Sequence, residues 1–170
     1  IVYMDLYPRE GKFNHAATYL LRPPSGKYHS IQAVLCSLSR EWTQENKVTL
    51  YHELGHVIHH ASMRVKYRDS VNVEMDFIEV PARLMERYIY PQPPDWAIGE
   101  LRQLVLAEFD LELHGPTPPT NADECAALMR RVFAQTPLRG DVGNFYASFG
   151  HYVEMYPAYY YCYVAAAIWA

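Results

Sequence analysis

The chain has no hydrophobic run long enough to cross a membrane; its longest, Val164 to Ala170, falls far short of the roughly 20 residues that a span needs. It has no surplus of positive charge either. Fifteen Lys and Arg against 19 Asp and Glu, mixed along the chain, give a net charge of -4 and no basic footprint for nucleic acid. Cysteine is scarce: Cys36, Cys125 and Cys162 are odd in number and unevenly spaced, which suits core thiols in a reducing compartment better than a disulfide framework. No basic leader with a cleavage site opens the chain, and there are no internal repeats or low-complexity tracts. What is present is a chain of 170 residues, half of them hydrophobic and a fifth charged, the composition of one globular domain spanning 1–170. Tyrosine is the excess, at 15, with Tyr152, Tyr156, Tyr159, Tyr160, Tyr161 and Tyr163 crowded near the C-terminal end.

Hydrophobic periodicity divides the chain. Short apolar runs at 1–7, 16–22 and 30–38, separated by Arg9-Glu10-Gly11-Lys12 and Pro23-Pro24-Ser25-Gly26, predict a small antiparallel sheet. From Thr43 the period becomes helical through Val48, Leu50, Leu54 and Val57 to about Met63. After a charged connector a second helical pattern runs from Phe77 to Tyr88, with Pro81 in its first turn or at a kink, and Pro91 to Pro94 ends it. A third helix is expected from Asp95 to about His114, and a fourth from Thr120 or Asn121 to Ala134. The last helical segment is expected from about Asn144 to Ala170, broken near Pro157. The fold class is therefore mainly α with a small antiparallel β-sheet.

Inside the first helix, His52-Glu53-Leu54-Gly55-His56 matches H-E-x-x-H. One turn separates the two histidines, so both imidazoles leave the same helix face and can share one Zn2+, with Glu53 beside them as general base. A third ligand six residues further on is ruled out, because His59 and Ser62 stand where Gly and His are needed. A carboxylate from the second helix is the remaining route, and Glu79 is well placed. Asp76, Glu79, Arg83 and Glu86 recur three or four apart, either as a solvated stripe or as ligand and supporting groups. His59 reads as a packed residue or a support to the ligands; His15, His29, His60 and His114 carry no readable role.

Four blocks then carry a resemblance: Asp5-Leu6-Tyr7-Pro8-Arg9-Glu10-Gly11-Lys12 with His15-Ala16; His52-Glu53-Leu54-Gly55-His56-Val57-Ile58-His59; Asp76-Phe77-Ile78-Glu79-Val80-Pro81 with Glu86; and Phe149-Gly150-His151 with Tyr156, Ala158, Tyr160, Tyr161 and Tyr163. In order and spacing they resemble the thimet oligopeptidase, neurolysin and oligopeptidase A family of zinc metallopeptidases. The resemblance implies a zincin-like (gluzincin) catalytic core binding one Zn2+ per chain through His52, His56 and Glu79. It implies that Glu53 activates a zinc-bound water and that His151, Tyr156 and Tyr163 donate to the oxyanion; Asp76 and Glu86 are expected to orient the ligand imidazoles, since a metal-bound His usually donates its other N–H to a carboxylate, with His59 packed or supporting beside them. The expected activity is hydrolysis of short peptides, without nucleic acid or membrane as partner, in the cytoplasm or alternatively the mitochondrial matrix. The other reading is a non-catalytic zinc- and peptide-binding fragment.

Several departures from the family pattern accompany the match. Leu54, Ala82 and Arg83 replace a usual Phe, Ser and Gln, Tyr152-Val153-Glu154-Met155 replaces a Gly-rich stretch, and the intervals His56–Glu79 and Glu86–His151 are short. The family's channel walls are missing, and the start at Ile1 and the end in an Ala-rich run read as cuts. The expectation is a fragment or reduced form of a longer architecture, completed by missing segments or by self-association. Tyr152, Tyr159, Tyr160 and Tyr161 read mainly as packed aromatics, and 30–38 reads as an edge strand available to substrate main chain.

Overall fold

The computed structural model describes residues 1–90, 95–153 and 157–170, with Asp69 and Ser70 described by their backbone only. The chain groups into two compact units, Ile1–Gln92 with Trp169–Ala170, and Pro93–Ile168.

In the first unit, β1 (Val2–Asp5), β2 (Ala17–Arg22) and β3 (Ile31–Leu35) form one sheet in the order β1-β3-β2. The expected antiparallel sheet is a mixed one. The turn at 23–30, closed by the Ser25–Tyr28 bridge, folds β3 back antiparallel to β2, but β1 pairs parallel with β3. The Arg9–Lys12 turn does not make a hairpin of β1 and β2, because β3 inserts between them. Lys12 reinforces this arrangement: its buried Nζ donates to the carbonyls of Asp5, Tyr7 and Cys36 and to the Asp5 carboxylate, joining the end of β1 to the end of β3. The Arg9 and Lys12 hydrogen bonds hold the Asp5 pKa below its ordinary value.

The sheet packs on α1 (Gln44–Ser62), which Thr43 caps by accepting from the Asn46 N–H. Leu50, Leu54 and Val57, four and three apart, meet Val34, Cys36 and Leu38. Burial pushes the Cys36 thiol up to about 11, with the Glu53 charge adding to it, so it stays a protonated core thiol. The second helical pattern is split. One turn, α2 (Met75–Ile78), stops at Glu79, and α3 (Val80–Ile89) restarts with Pro81 in its first turn, where a missing N–H costs nothing. The Pro91–Pro94 run lies outside the described residues.

The second unit holds α4 (Trp96–Leu113) and α5 (Ala122–Ala134), the latter capped by Asn121. Asp95 stands at the α4 N-cap without a side-chain capping bond. Leu106, Phe109, Leu128, Met129 and Val132 form the core with Tyr152 and Tyr160. The segment expected to be helical from Asn144 is instead two 3-10 turns, Phe145–Ser148 and Gly150–Tyr152, and only Cys162–Trp169 is a helix, α6. No helix among the described residues is long and apolar enough to cross a membrane.

Candidate metal centre

α1 and α3 approach closely because position 55 has no side chain. A Cβ there would lie 2.5 Å from the Ala82 Cα and 2.5 Å from the Pro81 carbonyl oxygen, so only glycine admits backbone-to-backbone contact of the two helices. Ala82 is fully buried beneath that contact. The approach brings His52 and His56, one turn apart on α1, against Glu79, the N-cap of α3.

The ligand atoms of His52, His56 and Glu79 all lie within 4.8 Å of one another. The two Nε2 atoms stand 3.3 and 3.5 Å from Glu79 Oε2. A tetrahedral ion with bonds of about 2.0–2.1 Å requires donor atoms about 3.3–3.4 Å apart, so the two imidazole-to-Glu79 distances match that spacing and the trio has the donor chemistry of a metal site. His52 Nδ1 donates to Glu86 Oε1 at 2.6 Å, which leaves Nε2 facing Glu79. Arg83 Nη1 donates to the other Glu86 oxygen at 2.7 Å.

Electrostatics follow from this packing. Burial works against a charged His52, but the Glu79 carboxylate beside it and its hydrogen bond to Glu86 outweigh burial and raise its pKa to about 10. Burial likewise works against a charged Glu79, and the nearby imidazoles of His52 and His56 outweigh that, holding its pKa well below the usual carboxylate range. In the metal-free chain His52 is therefore an imidazolium beside the Glu79 carboxylate, a proton that a dication bound at this cluster would displace.

Glu53 stands apart from the trio. It is 4% exposed, and its Oε2 accepts a 2.7 Å hydrogen bond from the Thr18 hydroxyl on β2. Thr18 also lies 3.1 Å from the Glu53 carbonyl oxygen. Nothing in the sequence pairs Thr18 with Glu53, 35 residues away; only the register that faces Thr18 and Val34 toward α1 does so.

Other expected residues fall elsewhere. Asp76 is exposed in the single turn of α2, and no hydrogen bond or ion pair joins it to either imidazole; Glu86 fills that role because Glu79 breaks the helix between them. His59 stacks on His60 and meets Phe77 edge-on, outside the trio. Burial lowers the His59 pKa and brings that of His60 down to about 4, and His60 bonds to Gln32 on β3. The 30–38 run is not an edge: β3 is the central strand, hydrogen-bonded on both sides, and β2 is the sheet edge that meets α1 at Glu53.

His151 and Tyr163 belong to the second unit, where they come together. His151 stacks on Phe149 with centroids 4.5 Å apart and meets Tyr160 and Tyr163 edge-on. Asp110, fully buried on α4, accepts from the N–H groups of Ala158 and Tyr160 and from His114, and so holds the turn leading into α6. Ala158 there takes a positive φ of 63°, which a non-glycine residue keeps only where neighbours hold it. Tyr152 and Tyr160 are core aromatics as expected, whereas Tyr159 is 45% exposed. Tyr156 lies outside the described residues. All three cysteines are free thiols; Cys36 and Cys162 are buried and Cys125 is half-buried.

Comparison with known proteins agrees with this architecture. Residues 1–92 match the family model described as Peptidase family M3. The chain is 31% identical to a thimet-like oligopeptidase of Dictyostelium discoideum over 95% of its own length and 31% of that protein. It is 25% identical to saccharolysin of Saccharomyces cerevisiae over 99% of the chain and 30% of that protein. It is 26% identical to oligopeptidase A of Escherichia coli over 99% of the chain and 32% of that protein. The chain thus spans about a third of the length of the curated relatives it matches. The alignment to the Dictyostelium protein covers 208 positions against a chain of 170 residues, so that relative carries further residues inside the shared region.

Proposed function

Because the chain belongs to peptidase family M3, we propose that His52, His56 and Glu79 form the Zn2+ site of a gluzincin-type metallopeptidase that hydrolyses peptide bonds of short peptides. The observation that carries this reading is the convergence of the three donor atoms within 4.8 Å, with Glu79 Oε2 at 3.3 and 3.5 Å from the two imidazoles, on two helices held together at Gly55. When bound, the ion supplies a Lewis acid and brings the pKa of a coordinated water from about 15.7 toward 7.

The remaining work falls to the chain. Glu86 holds His52 with Nε2 toward the site. Glu53, fixed by Thr18 through Oε2, is the base that accepts the proton of the attacking water and passes it to the leaving amine. On the strength of family membership, His151, Tyr156 and Tyr163 are read as the donors that meet the oxyanion, a role in which one lost donor costs about 10^2 to 10^3 in rate. The open edge of β2, beside Glu53, is suited to an extended peptide main chain. The free thiols favour a reducing compartment, the cytoplasm in this reading.

The test is hydrolysis of a quenched fluorescent short-peptide library by the zinc-loaded chain and by Glu53→Gln. We expect turnover by the wild type and a loss of at least 100-fold in the variant. Equal turnover in both refutes the role of Glu53. Stoichiometric zinc without hydrolysis in either favours the other reading, a zinc- and peptide-binding fragment, which the coverage of only a third of the relatives makes the specific alternative.

A further inference from the structure

We infer that Arg83 is a positioning residue for the metal: acting through Glu86, it holds the His52 imidazole in its ligand orientation and so slows loss of the bound ion. The inference rests on the reading of His52, His56 and Glu79 as the zinc site. Glu79, Arg83 and Glu86 stand four and three apart on α3, so one face of this helix carries a ligand, a cation and an orienting carboxylate toward α1. The Arg83 N–H also continues the helix by bonding the Glu79 carbonyl at 2.9 Å.

The geometry forms an unbroken chain. The Arg83 guanidinium donates to Glu86 Oε2 at 2.7 Å, Glu86 Oε1 accepts from His52 Nδ1 at 2.6 Å, and His52 Nε2 lies 3.3 Å from Glu79 Oε2. The side chains of Arg83, Glu86 and His52 are only 17 to 20% exposed, so water is a poor substitute for any member. A carboxylate engaged through both oxygens is confined to one orientation. With Oε2 released, Glu86 is free to turn its charge toward solvent, and the imidazole loses the acceptor that fixes its ring.

Two effects of Arg83 oppose each other. Its positive charge repels a dication, which by itself predicts tighter binding once the charge is removed. Its hydrogen bond orients Glu86, which predicts weaker binding. Glu86 lies between the guanidinium and the imidazole and offsets the charge, whereas the orienting bond is direct and short, so orientation dominates.

The experiment measures Zn2+ affinity and dissociation rate of the full chain by competition with a chromophoric chelator, for wild type, Arg83→Met and Arg83→Lys. Groups that orient metal-bound histidines typically govern affinity by 10–100-fold. The expected result is a 10–100-fold loss in Arg83→Met, carried by faster dissociation, and recovery in Arg83→Lys, whose ammonium keeps a donor for Glu86. In the metal-free chain, the downfield His52 Nδ1–H resonance is expected to move upfield in Arg83→Met and to stay in place in Arg83→Lys. Unchanged or tighter binding in Arg83→Met, with the resonance unmoved, overturns the role of Arg83. Failure of the wild type to bind Zn2+ overturns instead the zinc reading on which it rests.

Discussion

Replacing Gly55 by alanine isolates the contact on which the site depends. On helix propensity alone the change should stabilise α1 by about 1 kcal/mol. The new Cβ, however, would sit 2.5 Å from the Ala82 Cα and 2.5 Å from the Pro81 carbonyl oxygen, both backbone atoms with no rotamer to change. Ordinary carbon contacts begin near 3.5 Å, so α3 must retreat by about 1 Å. Overpacking of this kind costs about 1–3 kcal/mol, leaving a net loss of stability of about 0–2 kcal/mol. The ligands are less tolerant: metal–donor distances hold within about 0.2 Å, and Glu79 moves with α3. Zinc affinity should therefore fall by more than tenfold while the metal-free chain remains folded. Competition with a chromophoric chelator measures the first and urea denaturation the second. Affinity within twofold of wild type would refute the argument that the Gly55 contact sets the ligand distances.

Three further outcomes are expected. Thr18→Val removes the only hydroxyl bonded to the Glu53 carboxylate among the described residues; peptide turnover should fall about tenfold or more with zinc affinity unchanged, and a parallel loss of zinc would show Thr18 to be merely structural. Asp110→Ala strands the N–H groups of Ala158 and Tyr160 and should cost about 2–4 kcal/mol in urea denaturation; a loss below about 1 kcal/mol would mean that the turn holds its positive φ without Asp110. The third concerns pH in the chelator-stripped chain. The His52 pKa is raised to about 10, so its contribution to stability is complete below about pH 6.5 and is lost as pH rises through 10. The Glu79 pKa is lowered, so its contribution is present above about pH 4.5 and lost as pH falls below that. His59 and His60, whose pKa values burial lowers, add stability as pH rises toward about 6.5, so the urea midpoint should peak at about pH 6.5, and a midpoint that climbs steadily from pH 6.5 to 9 would contradict the pairing.

Much of this protein is legible in one dimension because its determinants are local. The His52–His56 spacing, the start of α1 at Thr43, a cap at Thr120 or Asn121, the Leu50–Leu54–Val57 stripe and a Pro81 in a first turn or at a kink each follow from helix geometry over one or two turns. Glu79 is singled out among Asp76, Glu79 and Glu86 by the family resemblance rather than by spacing, and the structure brings it together with His52 and His56. Non-local partners were not available to such reading. The parallel pairing of β1 with β3 depends on which strands meet after the chain returns, and the central place of β3 removes the edge expected at 30–38. Asp76 and Glu86 look equivalent as residues spaced along a helix, and only the break at Glu79 separates them, leaving one in solvent and the other on His52. By itself, then, the sequence determined the donor chemistry of the candidate site and the helix that carries both histidines, since both need only neighbours in the chain. The tertiary structure alone decided the distance between those donor groups and the partners of Glu53 and His52, because these rest on backbone contact at Gly55 and on strand register, which join residues far apart in sequence.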